Sequence, residues 1–112
     1  MKLRLLLLLA ALPLLAGCAR KNLSTPELYT AHCARCHGRD GRGDRRHLDR
    51  YPYLDLLASP MVRQGDRAAV RIRIVDGDGP MPGFARRLTP SQIERLVDFT
   101  FQLGHSPEKE HP

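Results

Sequence analysis

The chemistry in this sequence is concentrated in Cys33-Ala34-Arg35-Cys36-His37. Cysteines three apart lie on one face of a helical turn. Two thiols so placed can form thioethers to the two vinyl groups of one haem, and C-x-x-C-H is the signature of such attachment. His37 then lies beneath the macrocycle and can offer a ring nitrogen to iron. A reactive or metal-binding C-x-x-C with an incidental histidine is the alternative, to be judged by context.

His37 alone leaves the sixth position of the iron open. Beyond it, two methionines offer thioethers: Met61, 24 residues past His37, and Met81, 44 residues past it. The chain must round the edge of the macrocycle to reach its far face, and the longer span does so with less strain. Pro80 and Pro82 also fix the backbone on either side of Met81. A rigid loop holds a weak thioether on iron better than a flexible one. Met81 is therefore the expected sixth ligand, and Met61 reads as core filler. His47 and His105 are the candidates for a bis-histidine iron instead. A thioether ligand raises the potential relative to two nitrogens.

The elements that must place these groups are helical. Ser24 caps a helix, with Glu27 closing a capping box and Pro26 in the first turn; it carries Leu28, Tyr29 and His32 into Cys33. Gly38 stops it. Gly38 to Arg46 is a loop by composition, with four arginines against two aspartates, and reads as solvated rather than as a nucleic-acid patch. Tyr51 to Leu57 is an apolar stretch. A metal-bound histidine donates its other N–H to a carbonyl or carboxylate, and the Pro52 carbonyl is the expected acceptor. Val70 to Ile74 alternates like a strand, but a lone strand has nothing to pair with. Asp66 as a cap, with Ala68, Ala69 and Ile72 in a row, favours a helix. It leaves Arg71 and Arg73 on different sides, one of them free to face a partner. The last helix opens on Thr89-Pro90 with Gln92 closing a second capping box. Ile93, Leu96, Val97, Thr100 and Leu103 form its apolar face. Phe101 lies off that face, exposed, and Gly104 ends the helix.

The N-terminus carries different information. Lys2 and Arg4 precede twelve apolar residues, Leu5 to Ala16, interrupted by Pro13. That is too short to span a bilayer and fits the core of a secretory signal peptide. Leu15-Ala16-Gly17-Cys18 resembles the lipobox of bacterial lipoproteins. The resemblance implies cleavage after residue 17, acyl chains on Cys18 and an envelope location facing the periplasm. Ala19 after the lipidated cysteine implies the outer rather than the inner membrane. Stable anchoring needs more than one chain, at about 0.8 kcal/mol per buried methylene; a lipidated N-terminal cysteine meets that. The tether from 18 to 24 reaches at most about 25 Å. All three cysteines thus have separate roles, and none is left for a disulfide.

The whole chain sets bounds. At 112 residues it holds one domain: residues 25–104, after a leader (1–17) and tether (18–24) and before a polar tail (105–112). The formal charge is +6, of which Lys2 and Arg4 belong to the leader, leaving +4. That mild excess suits an acidic partner or anionic lipid. With no recognition motif and few aromatics, nucleic acid is excluded as a partner. No tryptophan and three phenylalanines make a thin core, to which a buried haem adds apolar mass.

The order of C-x-x-C-H, apolar middle, Gly-Pro-Met-Pro-Gly-Phe, Leu-Thr-Pro-Ser-Gln-Ile and a closing amphipathic helix resembles the small bacterial class I monohaem cytochromes c, over residues 25–103. The resemblance implies an all-α fold of three to five helices wrapped around one covalent haem c, with first and last helices packed together and Phe99 near their crossing. It implies Cys33 and Cys36 as thioether tethers, His37 and Met81 as axial ligands, and a monomeric electron carrier rather than an enzyme. Two other roles fit the same residues: a small-ligand sensor or peroxidase-like protein in which Met81 is labile, and a fixed haem subunit of a larger oxidoreductase.

Overall fold

The computed structural model describes residues 23–105. Cys18, the leader and most of the tether and tail lie outside the described residues. Five α-helices follow in order: α1 (Thr25–His32), α2 (Ala34–His37), α3 (Pro60–Arg63), α4 (Arg67–Asp76) and α5 (Pro90–His105). A single 3₁₀ turn, Pro52–Leu54, interrupts the long connection between α2 and α3. Among the described residues the only extended pairing is an isolated bridge between Asp78 and Met81. The fold is all-α, as expected. Among the same residues no helix is long and apolar enough to cross a membrane.

The caps fall where the side chains allow. The Ser24 hydroxyl accepts from the Glu27 amide while the Glu27 carboxylate accepts from the Ser24 amide. Thr89 and Gln92 repeat the arrangement ahead of α5. The Asp66 carboxylate accepts from the Ala69 amide, so Val70–Ile74 is helical despite its alternation. Each such cap stabilises a helix end by about 1 kcal/mol. Three details differ from expectation. The first helix breaks at Cys33 (φ −122°, ψ −41°), so that α2 is a separate turn. α5 runs one residue past Gly104. Phe101 is half-buried and packs on the core, with the Arg67 guanidinium over its ring at 5.5 Å.

The core lies where α5 crosses α1 and α4. Leu28, Leu96 and Val97 are fully enclosed, joined by Tyr29, Val62, Val70, Ile74, Phe84, Leu88 and Ile93. At the α1–α5 crossing Tyr29 and Phe99 meet at 5.1 Å between ring centroids, tilted by 57°, a geometry that favours the ring edges. Arg71 and Glu94 pair across the α4–α5 seam (Nη2 to Oε2, 2.7 Å), and Arg67 pairs with Asp98. Arg73 pairs with Asp78. Both Arg71 and Arg73 are therefore engaged within the chain, not one held free.

Candidate functional site

Cys33, Cys36 and His37 form a single turn. The Cys33 carbonyl accepts from the His37 amide at 2.9 Å and from the Cys36 amide at 3.2 Å. The turn is braced from both sides. The Tyr29 hydroxyl donates to the Gly38 carbonyl at 2.7 Å, and burial keeps that phenol protonated by pushing its pKa up. From the other side the loop after Gly38 folds back. The amides of Gly43 and Asp44 donate to the carbonyls of His37 (2.7 Å) and Cys36 (3.0 Å). These are the orphan carbonyls of a helix end, which need partners when half-buried. The loop read as solvated is thus a cap: Gly41 is buried and its carbonyl accepts from Leu56 at 2.8 Å. Arg46 folds onto Asp44 and holds that carboxylate well below its usual range.

His37 shows what the turn is for. Its Nδ1 lies 2.9 Å from the Leu54 carbonyl oxygen. A carbonyl only accepts, so Nδ1 carries the proton. Burial lowers the pKa of the ring against the opposing pull of that bond. Burial thus favours the neutral imidazole, whose lone pair lies on Nε2 when Nδ1 carries the proton, the state a metal requires. The acceptor is Leu54, two residues past the expected Pro52. The reason is local: the Pro52 carbonyl is used by the Asp55 amide (3.2 Å) to close the 3₁₀ turn, and Leu54 ends that turn. Nothing in the composition of Tyr51 to Leu57 signalled this two-residue register.

Both thiols are free of disulfides. Cys33 is half-buried and Cys36 exposed; burial, then the neighbouring Cys36, pushes the Cys33 thiol up to about 11. A thiol so protonated is a poor spontaneous nucleophile. The metal-knuckle alternative needs further donors, and among the described residues no group of three or more His, Cys, Asp or Glu comes together. The residues fit a haem instead. Two free thiols and an imidazole share one turn, and the apolar side chains Leu48, Leu54, Leu56 and Leu57 stay half-buried in the connection that follows. Met61 packs against the core, as expected of a filler.

Met81 occupies a separate small structure. α4 ends at Gly77, and the chain turns back so that Asp78 and Met81 exchange both backbone bonds, at 2.9 and 3.0 Å. The returning strand then bonds to α4 itself: Phe84 N–H to Ile74 O at 2.9 Å and Ala85 N–H to Val75 O at 3.3 Å. Phe84 is buried, with His32 edge-on at 5.8 Å between ring centroids. That ring contact ties the end of α1 to the Met81 loop. Met81 is half-buried and touches the core. Besides Pro80 and Pro82, the backbone hydrogen bonds and the close contacts of Gly77 and Gly83 help to set the path of this loop. The paired glycines around Met81 were the signal available in the sequence. His47 and His105 are exposed, and His105 Nδ1 lies 2.6 Å from the Phe101 carbonyl.

Residues 22–99 match the family model described as cytochrome C oxidase, cbb3-type, subunit III. Over 79 residues the chain is 32% identical to the Cbb3-type cytochrome c oxidase subunit FixP of Azorhizobium caulinodans, an alignment covering 70% of this chain and 26% of FixP. Over 83 residues it is 28% identical to cytochrome c6 of Gloeothece citriformis, covering 68% of this chain and 66% of that protein. The chain thus spans about a quarter of the first relative and just under two thirds of the second.

Proposed function

This chain belongs to the cytochrome c family, as a small monohaem class I c-type cytochrome with covalent haem c that serves electron transfer, and from that premise we propose that it is a membrane-anchored carrier whose iron is closed by His37 and Met81. Haem c supplies a single-electron ferrous/ferric couple. The residues would do the rest: Cys33 and Cys36 would tether the haem, His37 and Met81 would ligate its iron, and Cys18 would hold the domain at the periplasmic face of the cell envelope. The observation that carries this reading is the 2.9 Å contact from His37 Nδ1 to Leu54 O, which leaves Nε2 as the free ring donor beside two unpaired thiols.

The partner follows from the charge. In residues 35–50 six arginines stand against three aspartates; over the rest of the described residues seven arginines stand against seven acids. The net positive charge of the described residues therefore lies entirely around the attachment turn. An acidic redox partner would be steered to that edge, with an association rate that falls as salt rises. The test is mass spectrometry of the protein purified from membranes, with spectra of both redox states. One haem on a chain starting at a lipidated Cys18, and a sulfur-to-iron charge-transfer band when oxidised, are expected. Ready binding of carbon monoxide by the reduced protein would sink the closed-iron reading.

The similarity to FixP, an oxidase subunit by name, favours a second reading in which the domain is a fixed haem subunit of a larger oxidoreductase. Pull-down from solubilised membranes separates the two: a carrier is recovered alone, a subunit with its complex.

A further inference from the structure

The loop that presents Met81 is closed by backbone contact between two glycines and the chain facing them. A Cβ built on Gly77 would stand 2.4 Å from the Met81 carbonyl oxygen, 2.6 Å from the Gly83 nitrogen and 2.7 Å from the Pro82 carbonyl carbon. A Cβ on Gly83 would stand 2.7 Å from the Val75 carbonyl oxygen and 2.8 Å from the Asp76 carbonyl. These atoms belong to the main chain and cannot swing aside. The two glycines thus let the end of α4 and the strand after Met81 lie in direct contact. The Asp78–Met81 bridge and the Arg73–Asp78 ion pair complete the clip. We infer that Gly77 and Gly83 are positioning residues for the sixth iron ligand: beyond what the flanking prolines fix, their lack of a side chain holds the Met81 thioether where it can bind. This rests on Met81 being that ligand. A thioether is a weak donor to iron, so it binds only when the loop that carries it need not be ordered at the moment of binding. A clip closed by main-chain contact supplies that preorganisation.

Three glycines in the same segment separate contact from backbone conformation. Gly77 has a positive φ of 75° and no room for a Cβ; Gly83 has no room but no positive φ; Gly79 has a positive φ of 53° and nothing within 4 Å. A side chain at a positive φ is strained whatever the space. The experiment makes Gly77→Ala, Gly83→Ala, Gly79→Ala and Met81→Ala in the full haem-loaded protein. It reads the sulfur-to-iron charge-transfer band of the oxidised form, carbon monoxide binding by the reduced form, and thermal unfolding by circular dichroism. Gly77→Ala and Gly83→Ala are expected to keep their helices, lose most of the band and bind carbon monoxide, while Gly79→Ala keeps the band. Full retention of the band in folded Gly83→Ala overturns the inference, as does an equal loss in Gly79→Ala. A band that survives Met81→Ala overturns instead the ligand reading beneath it. Should neither clip variant fold, hydrogen exchange on the wild type decides. The amides of Asp78, Met81 and Phe84 are expected to exchange slowly, and exchange as fast as that of an open loop overturns the clip.

Discussion

The attachment turn and the Met81 loop hold their groups by opposite means. Cys33 to His37 is braced from three surrounding segments: Tyr29 from α1, the amides of Gly43 and Asp44, and the Leu54 carbonyl seventeen residues on. The Met81 loop closes by backbone bonds made inside residues 73–88, with the His32 ring against Phe84 as its tie to α1. The difference matches the chemistry proposed for each. Two thioethers and an imidazole are strong links that tolerate a composite scaffold. A lone thioether needs a stiff local clip.

The largest test of that contrast is His37→Ala. It should abolish the haem-loaded product, or leave iron without its proximal nitrogen, whereas Met81→Ala should keep covalent haem. Mass and optical spectra of the two variants check it, and equal haem content with an unchanged His37→Ala spectrum would break the distinction. Next is Leu96→Ala. Leu96 is fully enclosed in the core that α5 builds with α1 and α4, so the cavity should cost roughly 2–5 kcal/mol. It should loosen both regions together in a denaturant titration, and loss in only one would show that they do not share a floor. Tyr29→Phe is smaller. It deletes the donor to Gly38 O but keeps the ring against Phe99, and should cost about 1 kcal/mol. Faster exchange near Gly38 with the charge-transfer band unmoved is expected.

The smallest effect is that of Glu94→Gln. Arg71, first by its side-chain hydrogen bond, lowers the Glu94 pKa below its ordinary 4.5. A carboxylate lowered on folding adds stability above its unfolded pKa and loses it as pH falls through the folded value. Wild type should therefore melt slightly above Glu94→Gln near neutral pH, and the gap should close as pH falls below the ordinary carboxylate range. The pair is solvent-exposed, so the gap is small and shrinks with salt. A gap that persists in acid would show that packing, not charge, carries the effect.

Much of this was legible in the chain. Ser24, Asp66 and Thr89 named their helices because capping is local chemistry that depends on residues three apart. The stripe from Ile93 to Thr100 named the buried face of α5 because helical spacing alone decides it. Leu54 was not legible, because which carbonyl of a turn is left free depends on how that turn closes. Nor was the capping role of Gly38 to Arg46, since its arginines advertise solvent while its backbone does the work. Phe101 looked exposed by spacing, yet Arg67 and the core cover it.

The sequence by itself determined that two thiols and an imidazole share one turn, that helices surround them, and that Met81 is flanked by rigid residues. Those properties follow from spacing and residue type, which are fixed before folding. Only the tertiary structure decided that His37 Nδ1 faces the Leu54 carbonyl, and that Gly77 and Gly83 close the loop. Both depend on a second piece of backbone arriving within van der Waals or hydrogen-bond reach, which residue type and spacing do not fix.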